Sequence, residues 1–108
     1  MCGIAGIVAN RPVNSAAVQA MTDLLAHRGP DGEGLWLAAD KRVGLGHRRL
    51  AVIDPTPGGA QPMADAAGTV VLTFNGEIYN YREIAGQLAE AGVVLRSQSD
   101  SEVLLEAY

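Results

Sequence analysis

The stretch MCGIAGIVA, residues 1–9, decides how this chain enters its fold. Its part from Ile4 to Ala9 is apolar and contains β-branched residues, which is typical of a short strand. Because this run begins three residues from the N-terminus, we expect a strand almost at the start of the chain. Cys2, the single cysteine, lies immediately before the strand. The first strand therefore fixes where the thiol is placed.

Hydrophobic periodicity and turn residues predict that strands and helices alternate along the rest of the chain. Leu35 to Ala38 and Val43 to Ile53 are predicted to form a hairpin around a turn at Asp40 and Lys41. Hairpins mixed with helices favour a layered α+β fold over a parallel sheet. The other predicted elements are strands at Thr69–Phe74 and Val93–Arg96, and helices at Ala16–Ala26 (capped by Asn14 or Ser15), at Tyr81–Ala91 (capped by Asn80) and from Ser99 or Asp100 onward.

Length, charge and composition exclude several classes of protein. The 108 residues suffice for one small domain, and 8 basic against 12 acidic residues give a formal charge of −4. This mild acidity, without a basic run, argues against nucleic acid or an anionic membrane as partner. The apolar stretches are far shorter than the ~20 residues of a membrane helix, and no signal peptide is evident. We therefore expect a cytoplasmic protein.

Cysteine and histidine are too few for a disulfide or for the usual metal sites. The chain has one cysteine and two histidines, His27 and His47. We expect no metal and no cofactor in this segment. The last predicted helix reaches Tyr108 without a stop signal. We interpret residues 1–108 as the N-terminal portion of a single, longer domain.

Cys2 is the first candidate for chemistry. If Met1 is trimmed, as is usual before a small residue, Cys2 carries a thiol and a free α-amine together. The amine can act as a base near neutrality, and the thiolate is a nucleophile. Such a residue needs no histidine partner. From position alone, a small buried hydrophobe at the start of a strand is an equally good explanation.

Six sequence blocks, in order and in register, resemble the class II glutamine amidotransferases. These are N-terminal-nucleophile hydrolases that release ammonia from glutamine, and the blocks are similar to their asparagine synthetase branch in particular. The resemblance implies a four-layer αββα sandwich with antiparallel sheets, of which this chain supplies the N-terminal part. The blocks are Met1–Gly6, His27–Asp31, Gly46–Asp54, Gln61–Met63, Phe74–Asn80 and Ser99–Leu105.

The resemblance implies a catalytic group of Cys2, Asn75 and Gly76. Cys2 would be the nucleophile that forms a γ-glutamyl thioester. The Asn75 side-chain amide and the Gly76 backbone N–H would form the oxyanion hole. Without the resemblance, an ordinary tight Asn-Gly turn explains the last two residues better.

The resemblance also implies four further residues that bind glutamine. Arg49 would clamp its α-carboxylate, because a guanidinium matches a carboxylate at two points. Asp100 would take its α-ammonium group; it could equally be the N-cap of the last helix, and both roles can coexist. Glu77 and Val52 resemble positions that line the pocket, Val52 through its backbone.

Three residues of the second block, and one strand histidine, are given structural roles. We interpret His27, Arg28 and Asp31 as a network that organises a loop. His47 is interpreted as a packed strand residue, because the Cys2 amine already supplies a base.

The implied partners are L-glutamine and, in a full-length enzyme, a C-terminal synthetase domain that would use ATP and magnesium to convert aspartate to asparagine. That domain is absent here, and a homodimer of the full-length form is left open. Two alternatives remain at this point. The chain could serve an amidotransferase with another acceptor, as in polysaccharide or secondary-metabolite biosynthesis, or it could be an inactive truncated fragment.

Overall fold

Two antiparallel sheets and three helices make up the structure, a computed structural model that describes residues 1–108. A short 3₁₀ turn at Pro57–Gly59 interrupts the long loop between the sheets. The elements in chain order are β1 (Gly3–Val8), α1 (Ser15–Asp23), β2 (Gly32–Leu37), β3 (Val43–Arg49), β4 (Met63–Ala64), β5 (Val71–Leu72), α2 (Tyr81–Glu90) and α3 (Asp100–Ala107).

The first sheet has the order β1-β3-β2, and α1 packs on one of its faces. Glycines on β3 allow this close approach, since a Cβ on Gly44 would lie 2.7 Å from the Val18 side chain of α1. Thr22, which is fully buried, donates its hydroxyl proton to the Val18 carbonyl oxygen at 2.7 Å. The helix therefore rests on backbone and on small side chains.

The opposite face of this sheet meets the segments that flank the β4–β5 hairpin. His47 on β3 lies 3.0 Å from the Thr73 hydroxyl, and a Cβ on Gly34 of β2 would overlap the Gln61 carbonyl oxygen. The hairpin in turn contacts α3, which packs against α2. The chain is thus layered, and the predicted α+β class with antiparallel sheets is confirmed. It is consistent with the N-terminal part of an αββα sandwich.

Strand β3 ends at Arg49, four residues before its predicted end. The next two backbone donors leave the sheet for side-chain acceptors: the Leu50 N–H points at Cys2 Sγ (3.3 Å), and the Ala51 N–H donates to Asp31 Oδ2 (2.9 Å). A strand cannot continue where its N–H groups are taken in this way.

Two other predicted strands are wrong or shortened for a similar reason. Val93–Arg96 forms no strand, and only β5 remains of Thr69–Phe74. Glu102 accepts the N–H at the end of the first segment at 2.7 Å. Asp65 accepts both N–H groups at the start of the second, at 2.7 and 3.0 Å. The β-propensity of both segments favours strands, but the hydrogen bonds to the carboxylates of Glu102 and Asp65 override it.

The helix caps are settled by the structure. The Asn14 side chain accepts the N–H two residues on, and Ser99 does the same for α3. Asp100 is the first residue of α3, so its alternative role as N-cap is wrong. Asn80 occupies the N-cap position of α2 but makes no side-chain bond there. None of the three helices is both long and apolar enough to cross a membrane.

The contact between Gly34 and the Gln61 backbone gives a test of the fold. Gly34→Ala forces a methyl group against a backbone carbonyl, and we expect it to lower the free energy of unfolding by about 1–3 kcal/mol. The matched control is Gly86→Ala in the middle of α2, where a Cβ meets nothing within 4 Å. That change should raise the free energy of unfolding by about 0.5–1 kcal/mol. Urea denaturation measures both, and a Gly34→Ala variant as stable as the parent would contradict the packing described.

Candidate active site

A pocket of about 360 Å³ opens where β1 begins and β3 ends, beside the loops that flank the second sheet. It contains every residue that the sequence analysis assigned to the site, although these are up to 98 positions apart (100 − 2). Residues 27, 28 and 31 do not line it. The residues brought together are Cys2, Arg49, Val52, Asn75, Gly76, Glu77 and Asp100.

Cys2 is half-buried, and its sulfur faces the turn that follows β3. The Leu50 N–H points at Sγ from 3.3 Å, and the Leu50 carbonyl oxygen lies 3.6 Å away. An N–H directed at the sulfur stabilises negative charge on it. Met1 precedes Cys2 in the sequence, so the Cys2 nitrogen is a peptide nitrogen here.

The second sequence block, His27–Asp31, forms hydrogen bonds to Cys2 and to the end of β3 without lining the pocket. Arg28 Nε donates to the Cys2 carbonyl oxygen at 3.1 Å. Asp31 donates its N–H to the Arg49 carbonyl oxygen and accepts the Ala51 N–H, both at 2.9 Å. His27 is exposed and lies beside a carbonyl oxygen of its own turn. These contacts agree with a loop-organising network.

Arg49 points into the pocket wall with its charge unpaired. Its guanidinium donates to the Thr56 carbonyl oxygen at 2.7 Å and to the Asp54 carbonyl oxygen, and no carboxylate oxygen lies within 4 Å of it. Gly59 makes room, since a Cβ there would overlap the guanidinium. Its neighbour Arg48 is different, because it forms an ion pair with Glu33 at 2.6 Å on the α1 face. The cation at Arg49 is therefore available to an anionic ligand.

Asp54 accepts a hydrogen bond from Arg49 through its carbonyl oxygen, and the sequence alone assigned Asp54 no role. Its buried carboxylate accepts the Thr56 hydroxyl and N–H, and the Gln98 N–H at 3.0 Å. The hydroxyl of Thr56, then the two backbone bonds, hold the pKa of Asp54 below its ordinary value. The Asp-Pro-Thr sequence was the available signal, because an aspartate often accepts the N–H two residues on.

Asn75 and Gly76 do not form the tight hairpin turn that their sequence suggests. That turn needs positive φ at both residues, and neither has it; the non-glycine residue with positive φ is Lys41. The Phe74 ring lies under Gly76, at 2.6 Å from where a Cβ would be. The tight-turn alternative is wrong, and Asn75 and Gly76 instead line the pocket.

Asp100 closes the far side of the pocket. It is buried, and its Oδ2 accepts the Ile78 N–H at 3.0 Å, which ties the loop after Asn75 to α3. Its other oxygen, Oδ1, has no hydrogen-bond partner in the chain. One oxygen positions the loop, and the other can accept a hydrogen bond from a ligand.

His47 also lines the pocket, as a buried and neutral side chain. Burial, and then the nearby positive charge of Arg49, lower the pKa of His47 to about 4. Its Nδ1 pairs with the Thr73 hydroxyl, while Nε2 is buried without a partner. This agrees with a packed strand residue. No group of three or more His, Cys, Asp or Glu side chains is placed to hold a metal ion.

A layered α+β fold with a cysteine and unpaired charges around one pocket agrees with the class of N-terminal-nucleophile amidotransferases. The family model described as a glutamine amidotransferase domain matches residues 1–108. The chain therefore belongs to the glutamine amidotransferase family, and the resemblance seen in its sequence is confirmed.

Curated relatives agree over the whole chain. It is 40% identical over 113 residues to asparagine synthetase [glutamine-hydrolyzing] 1 of Bacillus subtilis, and 40% over 111 residues to the asparagine synthetase of Zea mays. It is 38% identical over 120 residues to a protein of Gibberella zeae named amidase chry2. All of this chain is aligned in each case, and it spans 17–18% of the length of these relatives.

The depressed pKa of His47 predicts a loss of stability in mild acid. The unfolded chain takes up a proton at this residue near pH 6.5, whereas the folded chain resists it down to about pH 4. The free energy of unfolding should therefore fall by about 2 kcal/mol between pH 7.5 and 5, above the range where carboxylates titrate. Urea denaturation at several pH values measures this.

Two single variants isolate the histidine responsible. His47→Asn should be less dependent on pH by that amount, while His27→Asn, at an exposed site, should keep the slope of the parent chain. Equal slopes for the parent and His47→Asn would contradict the assignment.

Proposed function

We propose that this chain is the glutaminase part of an enzyme, which hydrolyses L-glutamine to glutamate and ammonia through a thioester on Cys2. The observation that carries this proposal is the convergence of the thiol, the unpaired Arg49 cation and the Asp100 carboxylate on one pocket. A zwitterionic amino acid needs both charges, and a carboxamide carbon needs the nucleophile.

Binding follows from the charges of the pocket. Arg49 takes the α-carboxylate, because it already faces only neutral carbonyl oxygens. Asp100 Oδ1 accepts from the α-ammonium group. Glu77 and Val52 line the same pocket. The side-chain carboxamide is then directed towards Cys2.

The chemistry needs the amine that removal of Met1 would expose. The Cys2 amine takes the thiol proton, directly or through a water, and the thiolate attacks the carboxamide carbon. The Asn75 side-chain amide and the Gly76 N–H donate to the oxyanion. The carbon–nitrogen bond breaks as the protonated Cys2 amine gives its proton to the leaving nitrogen, and ammonia leaves. Water then hydrolyses the γ-glutamyl thioester, which gives glutamate and restores the thiol.

The role of the whole protein is proposed from its relatives. Residues 1–108 form the N-terminal portion of a glutamine amidotransferase domain. The ammonia feeds a C-terminal synthetase domain that makes asparagine from aspartate in the cytoplasm. ATP and magnesium act there, and this segment itself needs no cofactor. Relatives named asparagine synthetase favour this acceptor over another. A homodimer of the full-length form is part of the same proposal.

Intact mass before and after a glutamine-like diazo ketone tests whether the pocket assembles. We expect loss of one methionine and gain of one adduct at Cys2, with protection by glutamine. Cys2→Ser is the matched control, and it should gain no adduct. A chain that keeps Met1 or stays unlabelled would show that these 108 residues are not a working glutaminase by themselves.

Two neighbouring arginines test the binding of the α-carboxylate. Arg49→Lys replaces a two-point donor by a single charge, and we expect KM for glutamine to rise about 10–100-fold with a smaller change in kcat. Arg48→Lys, whose ion pair with Glu33 lies on the other face of the sheet, should leave KM within about twofold. Steady-state glutaminase assays of the protein that carries this chain measure both. Equal KM values for the two variants would refute the assignment.

A further inference from the structure

Gln61 uses both ends of its side chain to join two parts of the pocket. Its Oε1 accepts the Phe74 N–H at 2.6 Å, and its Nε2 donates to Ser101 Oγ at 2.9 Å. Because the carbonyl oxygen serves one partner and the NH₂ group the other, the orientation of the amide is fixed. The residue lies in the loop before β4, and no role has been assigned to it so far.

The two partners of Gln61 are the immediate neighbours of proposed site residues. Phe74 precedes Asn75 in the chain, and Ser101 follows Asp100. Gln61 therefore links the backbone that carries the oxyanion donors to the first turn of α3. The distance between the donors and the Asp100 carboxylate depends on this link.

A second bond completes the frame. Asp100 Oδ2 accepts the Ile78 N–H at 3.0 Å, so the loop from Asn75 to Ile78 is held at both ends from the first turn of α3. The backbone of Gln61 packs against Gly34 of the first sheet, so closely that a side chain at position 34 would overlap the Gln61 carbonyl oxygen. The frame thus connects the loop to α3 and to the sheet that carries Arg49.

We propose that Gln61 is a positioning residue, which holds Asn75 and Gly76 in register with the α-ammonium site at Asp100. The proposal rests on the glutaminase function proposed above. An oxyanion hole acts only if its donors are preorganised, and a displacement of about 1 Å can cost ~10²-fold in rate. Gln61 touches no reacting atom, since both of its polar ends are occupied within the chain.

Gln61→Met is the direct test, because methionine has a similar length and neither polar end. In the protein that carries this chain, we expect glutaminase kcat to fall about 10–100-fold with KM nearly unchanged. Alkylation of Cys2 by iodoacetamide, which needs no oxyanion hole, should keep the rate of the parent protein. A merely structural loss would change both rates together.

Two further variants make the outcome decisive. Gln61→Glu keeps an acceptor for the Phe74 N–H and an oxygen for the Ser101 hydroxyl, so most of kcat should return. Ser101→Ala cuts only the α3 end of the link and should lower kcat by a smaller factor than Gln61→Met. If Gln61→Met does not fold, an unchanged kcat in Ser101→Ala overturns the proposal.

A glutaminase assay of the parent protein separates the positioning role of Gln61 from the proposed glutaminase function. If it is active and Gln61→Met keeps its kcat within about twofold, the positioning role is wrong and the glutaminase function stands. If the parent protein releases no glutamate from glutamine, the proposed function fails and the role of Gln61 fails with it.

Discussion

The end of β3 at Arg49 is the constraint on which the pocket depends. Up to this residue β3 is bonded on both sides, to β1 and to β2. The next two N–H groups go to Cys2 Sγ and to Asp31 instead. This single change turns the chain out of the sheet and leaves the thiol beside the turn. Residues 52–61 can then pass over the end of the sheet as the wall of the pocket.

A second set of interactions holds the opposite wall of the pocket at α3. Four consecutive polar residues, Ser99 to Glu102, are buried there. Burial raises the pKa of Glu102, but the hydrogen bonds from Ser97 and Arg96 outweigh it and hold the pKa below its ordinary value. The carboxylate stays charged and accepts N–H and O–H groups from the loop before the helix. Asp54 accepts from Gln98 of the same loop. Fully bonded buried charges of this kind fix a single arrangement rather than add much net stability.

The sequence predicted the helices and the first sheet well, and the short strands poorly. Periodicity locates α1 and α2 within a few residues, although α2 has no fully buried residue and Leu24, at the end of α1, is exposed. It fails at Val93–Arg96, where the Val93 N–H donates to the Leu88 carbonyl oxygen and the Arg96 N–H to the Glu102 carboxylate instead of to a neighbouring strand. Such competition depends on tertiary contacts, and no local pattern shows it.

The site shows the same division between local pattern and tertiary contact. Motif resemblance named seven residues that the fold brings to one pocket, and it gave a binding role to Arg49 but not to its neighbour Arg48. The difference lies in strand alternation: adjacent residues point to opposite faces, so one meets Glu33 and the other meets the pocket. Gln61 was missed because its partners, the Phe74 N–H and the Ser101 hydroxyl, lie far along the chain. Asp54 has a local signal in its bonds to Thr56, but its bond from the Gln98 N–H has none.

The pocket holds an unpaired cation, Arg49, a half-used carboxylate, Asp100, and a neutral histidine, His47. Arg49 donates only to carbonyl oxygens, Asp100 keeps one oxygen free, and His47 between the sheets carries no charge at neutral pH. If His47 were charged, its proton would lie near Arg49 and would compete for the same carboxylate. Its depressed pKa therefore keeps a second positive charge away from Arg49 at neutral pH. A neutral His47 is therefore a condition for the proposed pairing of Arg49 with a carboxylate.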